Sequence, residues 1–163
     1  MRYLMNPFNF VLIALVIGAG LAALTVLGNT LLPDFVRRGR DNATQHFWRA
    51  FLIGLVDLIL FGVIALALTR AQFGLLKVIG VIVATVLLAF LVVGASIVAR
   101  IVGEKLRPND ASVTKQVLAG IVTIELAELF PLVGWILVPL VAVSTGLGAV
   151  ILTLFQRRPA AIA

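Results

Sequence analysis

The chain alternates between long apolar runs and short polar segments. Four stretches are almost entirely apolar, and they cover residues 8–32, 50–69, 78–99 and 117–155. A helix of about twenty apolar residues crosses the hydrocarbon core of a bilayer. The pattern therefore predicts an all-α, polytopic membrane protein in which residues 1–163 form a single transmembrane domain.

The polar segments between the runs set the bounds of the predicted spans. Polar loops are expected over residues 34–49, directly after Pro33, and over residues 103–115. The first run is longer than the apolar core of a signal peptide, so we expect it to remain as a span. The last run is too long for one span, and we divide it at Pro131. Five spans result, at about residues 8–32, 48–69, 78–102, 113–130 and 133–155.

The basic residues fall mainly on one side of this five-span arrangement. The chain has 13 lysines and arginines, 7 acidic residues and a net charge of +6. Ten of the basic residues lie in or beside the two polar loops and in the C-terminal tail, and Arg2, Arg70 and Lys77 lie on the other face. With four spans, eight basic residues would lie on one face of the membrane and five on the other. The positive-inside rule therefore predicts five spans, with the N-terminus outside and the C-terminus in the cytoplasm.

Composition narrows the classes of function. Hydrophobic residues make up 62% of the chain. The chain has no cysteine, and its one histidine is His46. We find no nucleophile with a base beside it, no phosphate-binding loop and no metal-ligand spacing. We expect no enzyme activity, no catalytic residue, no metal site and no cofactor. Because the basic residues adjoin the apolar runs, their expected partners are the anionic headgroups of the lipid bilayer rather than nucleic acid.

Three acidic residues fall inside the predicted spans, and they are the candidate functional residues. Asp57 and Glu125 lie about 13 and 15 Å from the same interface, and Glu128 follows Glu125 by one turn. One interpretation pairs Glu128 with Arg70 and leaves Asp57 and Glu125 protonated. Those two are then expected to hydrogen-bond to each other, to Thr123 or to a backbone carbonyl. A second gives one carboxylate an arginine from another subunit. A third makes the three carboxylates a site that binds protons or cations.

Small residues recur at spacings that let helix backbones approach closely. Gly18 and Ala22 are four residues apart, and Gly94, Gly146 and Gly148 lie in other small-residue clusters. They are predicted to serve packing inside the protein's own bundle. The alternative is that they form a seam for a partner subunit.

The C-terminal third contains a set of short motifs over about residues 95–158. They are Gly103-Glu104-Lys105-Leu106, Gly120, Pro131-Leu-Val-Gly134-Trp135, Gly146-Leu-Gly148-Ala149 and Arg157-Arg158. With these motifs the segment resembles a group of bacterial polytopic membrane proteins of the bactofilin-associated type. The resemblance implies a helical module of a bacterial inner membrane without supplying an activity.

These observations lead to two expectations of function. The first is an integral membrane accessory or scaffold subunit of a larger assembly, with membrane protein partners or copies of itself around it. The alternative is a small oligomeric transporter or channel, coupled to protons or cations, that uses Asp57, Glu125 and Glu128.

Overall fold

The computed structural model describes residues 7–110, 112–128, 130 and 133–155, with side chains from residue 16 onward except that of Val133. Every regular element in these ranges is a helix. They are α1 (Pro7–Leu31), α2 (Pro33–Gln45), α3 (Phe47–Thr69), α4 (Gly74–Leu106), α5 (Val113–Glu128), a π-helical turn (Val133–Leu137) and α6 (Val138–Phe155).

Three of the helices are long and apolar enough to cross a membrane. They are α3, α4 and the segment Gly134–Phe155, which joins most of the π-helical turn to α6. A fourth is added if Val16–Leu31 and α2, which are bent by 104° at Leu32, count as one broken span. The 16 residues of α5 extend about 24 Å, less than the roughly 30 Å of a hydrocarbon core. Helix length therefore establishes three to four candidate spans, and five remains a prediction.

The predicted polar loop over 34–49 is wrong, because most of it forms α2. Pro33 occupies the first turn, where its missing N–H costs nothing, and Asp34 complements the positive end of the helix dipole. The buried residues of α2 lie three residues or one residue apart along the chain, so they form a single face of the helix. They are Val36, Gly39, Asn42 and Ala43. The helix is amphipathic, but its many charged residues lower its average hydropathy, so hydropathy alone indicated a loop.

The predicted bounds of the third span are too narrow. Helix α4 contains 33 residues and begins at Gly74. It continues through Gly103, which is buried against the backbone of Gln116 instead of ending the helix. Lys105 lies in the last turn, where a cation is favoured by the helix dipole. The second polar loop is therefore shorter than expected and contains residues 107–112.

The last apolar run breaks near the predicted position. Helix α5 ends at Glu128 and the π-helical turn begins at Val133, while Pro131 itself lies outside the described residues. Pro139 follows the turn, and its missing N–H leaves the carbonyl of Trp135 without an α-helical partner. A local π-helical geometry accommodates this. Arg2, Arg157 and Arg158 also lie outside the described part of the chain.

Helix α4 is the centre of the bundle and contacts all the other α-helices. Helices α3 and α6 pack on each other and on α4, whereas α1 packs on α4 and α5. Helix α2 crosses one end of the bundle and contacts α4 and α6. One core cluster joins α2 to α4 and α6 through Val36, Ile97 and Val150, and another joins α4 to α5 through Ala99 and Val117. We refer to the end that α2 covers as the α2 end.

Glycines allow the helices to approach to backbone contact. A Cβ added at Gly94 would lie 2.6 Å from the carbonyl carbon of Gly146, so α4 and α6 touch at these two residues. Gly148 lies in the same way against the carbonyl of Ala50 in α3, and Gly120 of α5 against that of Ala99. Close approach of this kind maximises van der Waals contact between helices that are apolar on every side. Of the predicted packing residues, Gly94, Gly146 and Gly148 are therefore used inside the chain.

We expect Gly94→Ala to lower the free energy of unfolding by about 1–3 kcal/mol, because the new methyl group overlaps the backbone of α6. Gly62→Ala is the matched control, since a Cβ there meets no atom within 4 Å. It should be neutral or stabilise by up to about 1 kcal/mol, because alanine favours the helix. Unfolding of the detergent-solubilised protein measures both. Equal stability of the two variants would contradict the proposed packing.

Candidate functional site

Glu125 lies where α5 faces α1. Its carboxylate sits directly over Gly18, because a Cβ at Gly18 would be 2.7 Å from Glu125 Oε2. Its other oxygen, Oε1, is buried and accepts no hydrogen bond from the described residues. Ala22, one turn from Gly18, packs on the cluster of Ala99, Val117 and Ile121. The two small residues predicted in α1 thus face α4 and α5, and Gly18 leaves room for a carboxyl group.

Glu128 is the close neighbour of Glu125. The two residues are three positions apart on α5, which places their side chains on adjacent turns of one face. Thr123, a possible hydrogen-bond partner in the sequence, instead donates to the carbonyl of Ala119. The pair can share or hold a proton, since two neighbouring carboxylates resist joint ionisation.

Asp57 does not join this pair. It lies on α3, and no contact links α3 to α5 in the described chain, because α4 lies between them. Asp57 forms no hydrogen bond or ion pair with any described residue. The expected hydrogen bond between Asp57 and Glu125 is therefore absent, and the three carboxylates do not form one cluster.

The expected ion pair between Arg70 and Glu128 is also absent from the described structure. Arg70 is exposed at the C-terminal end of α3, and its backbone N–H closes that helix by bonding the carbonyl of Leu66. The sequence places Arg70 and Glu128 at the same end of the bundle. It does not predict in which direction around the bundle axis each side chain points. Because α3 and α5 lie apart, a shared end does not bring the side chains together.

A charged network that the sequence did not predict lies at the α2 end. Arg40 of α2 donates to Glu104 of α4, with 2.6 Å between Nη1 and Oε2. Glu104 also accepts from Arg100, one turn earlier, with 3.0 Å between Oε1 and Nε. Arg40 bonds Asp41 as well. The hydrogen bond to Glu104 is the main reason that the pKa of Arg40 is raised. Glu104 thereby ties α2 to α4.

One part of this network could have been found in the sequence. Arg100 and Glu104 have the spacing of an i,i+4 ion pair on a helix. The third predicted span ends at residue 102, so Glu104 falls in a predicted loop. The contact to Arg40 depends on α2 being a helix, and no local pattern indicated it.

Buried amides fix the other elements at the α2 end. Asn42 of α2 donates to the Thr153 hydroxyl of α6 over 3.0 Å. Asn29 of α1 donates to the carbonyl of Ser96 in α4 over 3.2 Å. Gln116 of α5 donates to two carbonyls of the 107–112 loop. Each polar group therefore joins two elements, which is the arrangement that buried polar groups require.

The loop before α5 closes on Asp110. The backbone N–H of Ser112 donates to Asp110 Oδ1 over 3.0 Å, and this bond is the main reason that the pKa of Asp110 is lowered. The Arg107 guanidinium is also near, 3.5 Å from the carboxylate. The carboxylate holds the turn that leads into α5.

The described residues contain no group of three or more histidine, cysteine, aspartate or glutamate side chains that could hold a metal ion. The single histidine, His46, is exposed between α2 and α3. The chemistry available at the positions described is proton exchange on Glu125 and Glu128, and attraction of anions by the arginines of the α2 end.

The comparisons with known proteins identify the family. Residues 4–158 match the model of the domain of unknown function DUF8173, which covers nearly the whole chain, and the protein belongs to this family. No curated protein and no solved structure matches the chain. The family description names no activity or partner, so the likeness to bactofilin-associated proteins stays a hypothesis.

We expect Glu104→Gln to lower the free energy of unfolding by about 1–2 kcal/mol, because two guanidinium groups lose the carboxylate between them. Asp34→Asn is the control, since Asp34 is exposed and forms no ion pair within the described chain. It should cost less than about 1 kcal/mol, the size of a helix-dipole effect. Unfolding at low and high salt measures both, and salt should reduce the cost of the Glu104 change. Equal losses would show that Glu104 does not tie α2 to α4.

Proposed function

We propose that this chain is an accessory or scaffold subunit of a larger assembly in a bacterial inner membrane, without catalytic activity of its own. The observation that carries the proposal is the isolation of Asp57. It lies near the middle of the 23-residue apolar helix α3 and has no partner among the described residues. A charged residue at the centre of a bilayer costs at least about 2.5 kcal/mol. A basic or hydrogen-bonding group from another subunit would offset this cost.

Two glycines with open space beside them support the same proposal. Gly20 of α1 and Gly62 of α3 meet no atom within 4 Å of an added Cβ. Glycine in a helix interior costs roughly 1 kcal/mol relative to alanine, and these two positions gain no packing within the chain in return. Small residues on helix faces allow a neighbouring helix to approach. The faces of α1 and α3 are therefore the proposed sites of contact with partners.

The proposed membrane position has five spans. Helices α1, α3, α4 and α5 and the π-helical turn with α6 cross the bilayer, while α2 lies along the cytoplasmic headgroups. Arg37, Arg38 and Arg40 lie on α2, and Arg107 and Lys115 lie near the same end. Local thinning of the bilayer would accommodate the short α5. The N-terminus is then outside and the C-terminus in the cytoplasm.

The aromatic residues agree with this placement. Trp48 is 70% exposed at the α2 end of α3 and packs edge-on against Phe47 and Phe51. Trp135 is exposed at the opposite end, near the turn between α5 and α6. Tryptophans are enriched at both membrane–water interfaces.

A second candidate function is a small oligomeric transporter or channel coupled to protons or cations. The observation that favours it is the buried Oε1 of Glu125, which lacks a hydrogen-bond partner in the described structure and lies beside the space left by Gly18. Glu128 adds a second carboxylate one turn away. Asp57 has no place in this candidate site because α3 does not contact α5.

Cysteine labelling tests the five-span arrangement. The chain has no cysteine of its own, so single variants can be read directly. Thr44→Cys in α2 and Asn109→Cys in the 107–112 loop should react only with reagent that reaches the cytoplasm. Gln72→Cys, between α3 and α4, should react from outside in intact cells. Permeabilised cells, in which all three should react, provide the control. Labelling of Gln72→Cys and Thr44→Cys from the same side would overturn the topology.

A pair of reciprocal variants separates the two functions. Asp57→Asn should reduce the fraction of the protein that migrates with partners after mild detergent extraction of native membranes, because the partner loses its ion pair. Glu125→Gln loses the same charge on another face and should leave that fraction unchanged. Unfolding of both purified variants controls for stability. Migration of the wild-type protein alone would count against the subunit proposal.

The same variants give the opposite outcome if the protein is a transporter. In liposomes that contain a pH-sensitive dye, the wild-type protein should produce no proton or cation flux under the leading proposal. Flux that disappears in Glu125→Gln and persists in Asp57→Asn would establish the second candidate instead.

A further inference from the structure

A cavity of about 280 Å³ lies where α1 bends into α2. The end of α1, the start of α2, the start of α5 and one arginine of α4 enclose it. We call it the elbow pocket, and its polar lining residues are Asn29, Thr30, Asp34, Arg37, Arg100 and Thr114. Its position at the α2 end gives it the depth of a headgroup layer in the proposed five-span arrangement.

Two arginines make the elbow pocket attractive to an anion. Arg37 is exposed and forms no hydrogen bond or ion pair with any described residue. Arg100 bonds Glu104 through Nε alone, so its two terminal nitrogens are free of hydrogen bonds to the described chain. Guanidinium groups are suited to bind phosphate oxygens through paired N–H donors.

The N-terminus of α5 adds to this attraction, because Val113 and Thr114 open that helix and line the elbow pocket. The first N–H groups of a helix lack partners within it, and the helix dipole places partial positive charge there. Pro33 and Asp34 open α2 and also line the pocket, but Pro33 has no N–H and the Asp34 carboxylate already complements the positive end of α2. The lining therefore offers two arginines and one helix N-terminus against one carboxylate.

Asn29 supplies an acceptor that no described residue uses. Its side chain is only 7% exposed, and its Nδ2 donates to the carbonyls of Thr25 and Ser96. These two bonds fix the amide and leave Oδ1 buried without a partner. A buried acceptor without a hydrogen bond is unfavourable, because it has lost its contact with water. A ligand that carries a donor as well as a phosphate would satisfy it.

An apolar ridge leads away from the elbow pocket. Starting from the lining residue Thr114, every fourth position of α5 lies along one side of the helix. The next three, Leu118, Val122 and Leu126, are all exposed apolar side chains. A free phosphate ion would not use such a ridge, whereas an acyl chain attached to a phosphate would lie along it.

We propose that the elbow pocket binds the headgroup of a phospholipid. The phosphodiester lies between Arg37 and Arg100 at the N-terminus of α5, and a hydroxyl or ammonium group of the head donates to Oδ1 of Asn29. One acyl chain follows the ridge of α5. This site goes beyond the subunit function and does not depend on any partner protein. Bound lipid would hold the bend between α1 and α2.

Binding of dioctanoyl phosphatidylglycerol to the detergent-purified protein, measured by native mass spectrometry, tests the site. Arg37→Gln should weaken binding about tenfold, the equivalent of one charge-assisted contact. Arg38→Gln is the matched control, because it removes the same charge one residue away and outside the lining. It should change the dissociation constant less than about twofold. If both changes weakened binding equally, the effect would come from the net charge of the protein and not from a specific contact of Arg37. That result would overturn the proposal.

Three further ligands test separately the contributions of the phosphate, the acyl chains and the hydroxyl donor of the lipid. Dioctanoylglycerol, which lacks phosphate, should not bind at the concentrations used. Inorganic phosphate should not displace the lipid, and displacement that is sensitive to Arg37→Gln would make the site one for free phosphate. Phosphatidylmethanol keeps the diester and lacks a hydroxyl donor, so wild type should prefer phosphatidylglycerol and Asn29→Ala should lose that preference. An unchanged preference in Asn29→Ala would remove Asn29 from the site.

Discussion

The contact between Gly94 and Gly146 sets the distance between α4 and α6, and the other elements are arranged around that pair. With no side chain on either residue, the two backbones touch. Helix α3 then reaches α6 through Gly54 and Gly148, and α5 reaches α4 through Gly103 and Gly120. Between helices that are apolar all round, tight van der Waals packing is the main source of specificity, because burying one apolar face rather than another gains little. The small residues thus decide which faces meet.

The bend at Leu32 follows from this packing and produces the polar chemistry of the molecule. Helix α2 turns across the ends of α4 and α6 and buries Val36 against Ile97. This position brings Arg40 to Glu104 and Asn42 to Thr153, which are 64 and 111 residues apart in the chain. It also closes the elbow pocket, because the start of α2 then faces the start of α5. Without the bend, the arginines of residues 37–40 would form a charged loop with no fixed geometry.

Hydropathy predicted the positions of the helices well because it is a property of each segment alone. The break between α5 and α6 and the start of α3 fall within one or two residues of their predicted positions. Helix α2 escaped prediction because its charged residues give it a low average hydropathy although one of its faces is apolar, and the burial of Gly39 and Asn42 depends on Ile97 and Thr153 of distant helices. The ends of α4 escaped for a related reason, since Gly103 marks a close contact with α5 instead of a helix end.

The carboxylates show that the depth of a residue in the membrane does not predict which residues it contacts. Asp57 and Glu125 are expected at similar heights, because height is what a count of residues along a span provides. Their separation is decided by which faces of α3 and α5 turn toward α4, and that depends on the glycine contacts. As a result Glu125 lies against Gly18 of α1 inside the bundle, with Glu128 one turn away, whereas Asp57 is half-buried on an outer helix. An acid on an outer helix meets whatever lies beside the protein. Lipid chains cannot hydrogen-bond to it, which is why the proposed partner subunit is placed against this face of α3.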